Sequence, residues 1–308
     1  MIAGRALPAF HRTRSSGELA RKAEAAAETL HACDLCEWRC GTDRASGRRG
    51  RCGVLEPRID SEFIHTGEEP ELVPSHTIFT SGCNFRCLFC QNHGISQHPE
   101  RGSPLSAIEL AEVIDLRWGA AGGDIPLFPV RPLAGGGRNV NFVGGEPTPN
   151  MPFILETLLH VEAPTPVVWN SNMYMTEGSM SLLDGAVDLY LADLKYGNDE
   201  CARRLSGVER YMEVVGRNHV LGERHADLLI RHLVLPGHVE CCSKPVIDWI
   251  SENLRTARIN IMDQYRPEWR AHEAEGLCRR LTEREFSDVM GYAREVLDPV
   301  RFPLEPVL

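Results

Sequence analysis

No run in the 308-residue sequence approaches the roughly 18–20 consecutive apolar residues that cross a bilayer, so no membrane-spanning helix is expected. The N-terminal stretch MIAGRALPAFHRTRSSGELARKAEAAAETL is basic and then amphipathic. It lacks the apolar segment and small-residue cleavage site of a secretory signal, which predicts a cytoplasmic protein. Positive charge is also in deficit. The 33 Lys and Arg face 43 Asp and Glu, a net charge of −10, and such a surface repels phosphate backbones and anionic lipids alike. No nucleic-acid or membrane partner is expected. There is no internal repeat, and with 43% hydrophobic and 25% charged residues a packed core is expected rather than disorder.

Cysteine is what the chain has in quantity. It carries eleven, and seven of them fall in two tight groups: Cys33, Cys36, Cys40 and Cys52, then Cys83, Cys87 and Cys90. Without a secretion signal, clustered cysteines are read as metal ligands before disulfides. Cys201 and Cys278 fit best as scattered buried thiols. Cys241 and Cys242 sit side by side, an arrangement that serves one compact cluster poorly; they either face substrate or are simply buried.

From about residue 76 the chain alternates strand and helix. Candidate strands cover 76–82, 139–145, 166–170, 187–194, 227–237 and 258–263; each is short, and most end beside Gly, Asn or Asp. Helix starts are signalled by the capping boxes Ser106–Glu109 and Thr282–Glu285 and by Lys244-Pro245. Gly119–Arg138, rich in Gly and Pro, reads as a loop insertion. Strand–helix alternation implies an α/β fold, a parallel sheet curled into a partial (β/α)6 barrel, with active-site residues at the C-terminal strand ends. Residues 1–75 do not share the alternation. They are expected to form a helix over about 17–31 and then an irregular cysteine-rich metal-binding module, leaving 76–308 as the barrel with its C-terminal helix.

The group Cys83-Asn-Phe-Arg-Cys87-Leu-Phe-Cys90 follows directly on a strand and wraps three thiolates within eight residues. Iron–sulfur clusters normally take four cysteines, so three leave one iron of a 4Fe–4S cubane open to a ligand. Such an iron can chelate the amino and carboxyl groups of S-adenosylmethionine (SAM). The competing zinc site would want a fourth ligand, for which His93 is the nearest candidate. C-x3-C-x2-C at the end of a first strand resembles the signature of the radical SAM superfamily. The resemblance makes Cys83, Cys87 and Cys90 the catalytic cluster ligands, and it places Phe89 in surroundings that contact the adenine. It implies a SAM-ammonium role for Gly144, Gly145 and Glu146. Two further segments, Ser171-Asn172 and Asp193-Leu-Lys195, resemble motifs of the pyruvate formate-lyase activating enzyme that contact the SAM ribose and carboxylate. Where that enzyme carries Asp-Thr, this chain has Asn170-Ser171. By the same resemblance Arg231 pairs with the SAM carboxylate; His232, on the opposite face, reads as structural.

Cys33, Cys36, Cys40 and Cys52 give C-x2-C-x3-C-x11-C, enough ligands to close a site. A second 4Fe–4S cluster is the expected occupant, with structural zinc as the alternative. From Cys33 to Arg266 the chain resembles activating-enzyme homologues that carry an N-terminal cysteine motif. The match includes His65–Pro70 and Asn260–Arg266, where Gln264-Tyr265 stands in place of a SAM-contacting His. The implied activity is reductive cleavage of SAM by a flavodoxin- or ferredoxin-type donor. The resulting 5′-deoxyadenosyl radical would take hydrogen from a small-molecule, nucleoside-like or biosynthetic substrate, while the second cluster anchors substrate or donates sulfur. The alternative is an activase acting on a glycyl-radical partner protein.

Overall fold

In the computed structural model, residues 7–119 and 136–304 are described. The loop insertion expected over Gly119–Arg138 therefore lies, for residues 120–135, outside the described residues. No helix among the described residues is long and apolar enough to cross a membrane.

The fold is α/β. Seven strands follow chain order in one mostly parallel sheet: β1 (Ile59–His65), β2 (Ser75–Thr80), β3 (Val140–Gly144), β4 (Val167–Ser171), β5 (Leu189–Asp193), β6 (Asp227–Leu233) and β7 (Arg258–Met262). The pairs β2–β3, β3–β4 and β6–β7 are parallel, each with a helix in the crossover that such pairing needs, and β1 runs antiparallel to β2. All six strands expected from the sequence are present within a few residues of their expected ends. The seventh, β1, falls in the stretch read as irregular. Its sequence, IDSEFIH, hides the strand because Glu62, a residue that reads as surface, points into the core.

Chain contacts divide the protein into two compact units. The first comprises 1–84, 94–170 and 176–189. Its helices are α1 (Ala9–Ser15), α2 (Glu18–Glu28), α4 (Ala107–Gly119), α5 (Met151–His160) and α6 (Glu177–Leu183), and the short α3 (His93–Ser96) returns the chain to it. The N-terminal helix expected over about 17–31 forms as α2 and the turn after it, and α1 is a further helix ahead of it. Gly17, at φ +75°, breaks the path, and α2 ends in a 3-10 turn at Thr29–Ala32. Phe10, Leu19, Ile78, Phe142, Leu155 and Trp169 are fully buried in this unit. Asp188 fastens α1 by accepting from the Ala9 N–H at 2.9 Å and from the Val167 N–H of β4 at 2.9 Å. The Ser106–Glu109 capping box forms as expected: Glu109 reaches back to the Ser106 N–H at 2.7 Å, and Ser106 Oγ accepts from the Glu109 N–H at 3.2 Å.

The second unit comprises 85–93, 171–175 and 190–308. It carries α7 (Asp199–Ser206), α8 (Tyr211–His225), α9 (Lys244–Asn253) and α10 (Glu283–Val296), with Tyr190, Tyr196, Tyr211, Leu229 and Ile230 fully buried. The α10 capping box closes as expected. Glu285 is shared further, accepting from the Gly237 N–H at 2.7 Å and pairing with Arg279 at 2.7 Å. Thr282→Ala should therefore destabilise the protein by about 1 kcal/mol, the usual loss at such caps, read as a lower denaturation midpoint at unchanged slope.

Candidate functional site

None of the eleven cysteines forms a disulfide. In the first unit the four N-terminal ones converge because the chain doubles back. The Cys33 N–H donates to Thr42 O at 3.0 Å and the Gly41 N–H to Cys33 O at 2.9 Å, while a turn at Arg39 bonds back to Cys36 O at 2.9 Å. Cys33 and Cys52 are buried, Cys36 and Cys40 half-buried. Burial pushes the Cys36 thiol far up, and the neighbouring Cys52, Cys33 and Cys40 add to the rise against a backbone hydrogen bond from Trp38. Burial likewise raises Cys52, opposed by the Arg44 guanidinium. Cys36 and Cys52 are thus each raised by the thiols around them, a crowding that a metal ion or cluster would relieve.

Two basic residues frame the group. Arg44 is buried, donates to Val54 O at 2.9 Å and Pro149 O at 3.0 Å, and approaches Cys33 Sγ at 3.9 Å. Arg51 gives its backbone N–H to Cys40 Sγ at 3.3 Å and lays its guanidinium 4.4 Å over the Trp38 ring. The Trp38 indole in turn donates to Asn84 O at 2.9 Å, so the four-cysteine segment is fastened to the residue that follows Cys83. Arg44 also borders an apolar cavity of about 650 Å³ lined by Ala23, Leu30, Pro149 and Phe153.

Cys83 is buried at the end of the β2 segment in the same unit. Beside it, Gly144 has φ +128°, and a Cβ there would lie 2.0 Å from Thr80 O; a Cβ on Gly145 would lie 2.2 Å from Gly82 O. These glycines are thus required by the close approach of the chain leaving β3 to the chain leaving β2. Glu146 is buried and accepts from the Thr148 N–H at 3.2 Å and from the Thr148 hydroxyl. Glu68 of the His65–Pro70 segment accepts from Asn141 Nδ2 at 3.3 Å.

In the second unit, residues 86–88 lie along the end of α7. The Arg86 N–H donates to Ser206 O at 3.0 Å and the Leu88 N–H to Leu205 O at 2.8 Å. This seats Cys87 under Ser206, whose Oγ donates to Cys87 Sγ at 2.9 Å and meets the buried Tyr196 hydroxyl on its other side. Burial pushes the Cys87 thiol up to about 11; neighbouring Cys90 adds to the rise, and Lys195 opposes it. The Cys90 N–H bonds Cys87 O at 3.2 Å, closing the turn between them. Phe89 is buried edge-on against Tyr265 at 5.9 Å, and His93 stacks on Trp269 at 6.0 Å.

The remaining expected contacts also lie in this unit. Ser171 Oγ accepts from the Met173 N–H at 3.0 Å and Asn172 Oδ1 from the Tyr174 N–H at 3.0 Å, side-chain turns that explain the positive φ of Met173 (59°). Asp193, ending β5, pairs with the Lys195 ammonium, while the Lys195 N–H donates to the Tyr211 hydroxyl at 2.8 Å. Arg231 is half-buried on β6, and its carbonyl accepts from the Leu194 N–H at 3.0 Å. His232 is buried between Leu194 O and Ser243 Oγ, each at 2.8 Å. Sequence reasoning passed over one grouping: Cys201 and His238 come together with Cys241 and Cys242. The local spacing H-x2-C-C was visible, but Cys201 lies 37 residues before His238 and only the fold pairs them.

No family model matches the chain. It is 26% identical over 184 residues to the pyruvate formate-lyase-activating enzyme of Staphylococcus aureus, covering 58% of this chain and 67% of that protein. Among solved structures it is similar to Streptococcus suis SuiB bound to the precursor peptide SuiA, with a TM-score of 0.47 and 14% identity over 73% of this chain; the alignment spans 46% of the SuiB chain. A second SuiB structure, bound to S-adenosylmethionine, aligns with a TM-score of 0.45 and 14% identity over 73% of this chain and 48% of that one. It is also 43% identical over 280 residues to the uncharacterised protein MJ0674 of Methanocaldococcus jannaschii, covering 89% of this chain and 78% of that protein. The chain belongs to the same family as MJ0674.

Proposed function

We propose that the protein is a radical SAM enzyme whose SAM-binding 4Fe–4S cluster is held by Cys83, Cys87 and Cys90. The observation that carries this reading is the C-x3-C-x2-C segment directly after β2, three cysteines within eight residues and none of them in a disulfide. Soft thiolate donors suit iron–sulfur ligation, and three of them leave one iron for a substrate-like chelate. When bound, the cluster supplies one electron to the sulfonium of SAM, breaking the S–C5′ bond to give methionine and a 5′-deoxyadenosyl radical.

The chain's own residues supply orientation and exclusion of water. Ser206 Oγ donates to Cys87 Sγ, a contact that stabilises the thiolate a cluster needs. Glu146, with Gly144 and Gly145 behind it, offers a buried carboxylate to the SAM ammonium. Ser171 and Asn172 would face the ribose; Lys195 and Arg231 would face the carboxylate. Lys195 must then exchange part of its pairing with Asp193 for the ligand. Phe89 would bound the adenine.

Residues 1–75 are read as a module holding a second cluster at Cys33, Cys36, Cys40 and Cys52, with zinc as the alternative. Their bond to Asn84 through Trp38 supports a working connection to the SAM cluster, since Asn84 follows Cys83 directly. The radical is assigned to hydrogen abstraction from a small molecule, with a flavodoxin- or ferredoxin-type protein as reductant. The resemblance to the Staphylococcus aureus activating enzyme favours a second reading, in which the radical is installed on a partner protein.

Anaerobic reconstitution followed by reduction with SAM present is expected to yield 5′-deoxyadenosine and methionine in equal amounts. Roughly eight irons per chain would indicate two clusters, and about four irons with a zinc that Cys33→Ser/Cys36→Ser removes would indicate a structural N-terminal site. Absence of cleavage in protein with intact cluster absorbance would overturn the reading. A glycyl radical appearing only with an added partner protein would favour the activase.

A further inference from the structure

Outside the residues assigned to SAM chemistry, the second unit gathers four ligand atoms that the sequence keeps apart. Cys201 lies in the first turn of α7. Cys241 and Cys242 lie in the π turn Val239–Ser243 between β6 and α9, with His238 just before it. One sulfur from each cysteine and a ring nitrogen of His238 all lie within 4.8 Å of one another. His238 Nδ1 is 3.2 Å from Cys241 Sγ, 3.6 Å from Cys201 Sγ and 3.8 Å from Cys242 Sγ. Cys241 Sγ is 3.8 Å from Cys201 Sγ and 4.0 Å from Cys242 Sγ. We propose that Cys201, His238, Cys241 and Cys242 bind a single tetrahedral Zn²⁺.

Edge lengths decide between one ion and a cluster. With Zn–S near 2.3 Å and Zn–N near 2.0–2.1 Å, a tetrahedral ion sets S···S edges of about 3.8 Å and S···N edges of about 3.6 Å. Five of the six edges, from 3.2 to 4.0 Å, straddle these values, and the sixth lies within 4.8 Å. A cubane gives each cysteine its own iron and so spreads the sulfurs further than one shared ion does. Three cysteines and one histidine also form a closed structural zinc set, with no position left for substrate.

The surrounding chain is built to hold this geometry. Asn198 caps α7, accepting from the Cys201 N–H at 2.8 Å, and its amide donates to Cys241 O at 2.6 Å, so one side chain fastens both halves of the site. Gly197 has no room for a side chain, since a Cβ there would lie 2.7 Å from Cys242 O. The Gly237 N–H, next to His238, is held by Glu285. Adjacent cysteines on a strand would point to opposite faces; the π turn brings Cys241 and Cys242 to one side. The ion would therefore tie the segment that follows β5, with Lys195 near its start, to the turn that follows β6. It would position those strand ends without touching substrate.

The test uses the full chain after iron–sulfur reconstitution, with zinc and iron counted per chain. Cys201→Ser/Cys241→Ser is expected to lose about one zinc and keep the wild-type iron. Cys83→Ala/Cys87→Ala/Cys90→Ala is expected to lose iron and keep that zinc, so failure of the SAM reading and of this one are distinguishable. Unchanged zinc in the first variant, or loss of iron instead, would overturn the proposal. Because that variant can fail to fold, the wild-type chain is also stripped of metal, reloaded with zinc alone and alkylated, with labelled cysteines mapped by mass spectrometry. Zinc should protect the half-buried Cys241 and leave the exposed Cys278 reactive. Equal labelling of Cys241 with and without zinc would count against the site.

Discussion

Cys87→Ala is expected to bring 5′-deoxyadenosine formation down to the level seen without protein and to remove one cluster, about four irons per chain. Cys87 is held on three sides: residues 86–88 run along the end of α7, the Cys90 N–H closes the turn, and Ser206 Oγ donates to the sulfur. Cys201, Cys241 and Cys242 of the second unit are gathered with His238 instead of being placed to substitute. Ser206→Ala makes the sharper comparison. The cluster should assemble, but a hydrogen bond to a ligand sulfur stabilises the more negative, reduced cluster. Its loss should shift the reduction potential to more negative values, measured by redox titration, and slow SAM cleavage with a weak donor more than with a strong one. Ser206→Ala also leaves the buried Tyr196 hydroxyl without this partner, a loss of about 1–3 kcal/mol in stability. Wild-type iron content and cleavage in Cys87→Ala would remove Cys87 from the cluster.

The parts of this molecule legible in the sequence share a physical property: their signals are local. Strands β2 to β7 announce themselves through β-branched and aromatic runs that end in Gly, Asn or Asp, and the capping boxes at Ser106 and Thr282 through residues three apart. The two cysteine groups are equally local. What escaped is non-local or disguised. β1 carries a buried carboxylate that reads as surface, and the break between α1 and α2 depends on one residue, Gly17. Cys201 has no partner within reach of any spacing rule, so only the packing of α7 against the π turn gives it one. The glycines before Glu146 were legible as special, but their cause was not. The resemblance implies a SAM-ammonium role for them, and the structure adds that the space their side chains would fill is taken by backbone at Thr80 and Gly82.

Arg117→Met should destabilise the protein by about 3–5 kcal/mol, the usual loss when one partner of a buried ion pair is removed. Arg117, in the last turn of α4, holds Glu62 of β1 through two bonds of 2.9 and 2.8 Å, and His76 of β2 bonds the same carboxylate at 2.8 Å. The Glu62 side chain is fully buried, so loss of the guanidinium strands a charge that water cannot reach. A thermal midpoint lower by roughly 10 °C is expected. Glu62→Gln/Arg117→Met, which removes both charges, should recover much of the loss. A midpoint within a degree of wild type in Arg117→Met would refute the role given to the pair.

The same buried groups set the response to acid. Hydrogen bonds and charge from His76 and Arg117 outweigh the burial of Glu62 and hold its carboxyl at about 2, below the ordinary 4.5. This group's contribution, about 3 kcal/mol, is complete above pH 4.5 and is lost as pH falls towards 2. Acid should act earlier through histidines. Burial holds His219 and His232 at about 4 against an ordinary 6.5, and His76 is also lowered. Between pH 6.5 and 4 the unfolded chain binds protons that these buried rings refuse, so stability falls across that window. Urea midpoints taken from pH 7.5 to 4 should decline from about pH 6.5 downward. Replacing His232, whose ring is fixed between Leu194 O and Ser243 Oγ, with Gln should flatten the upper part of that decline while lowering stability at pH 7.5. A profile flat down to pH 4.5 would show that these histidines titrate normally.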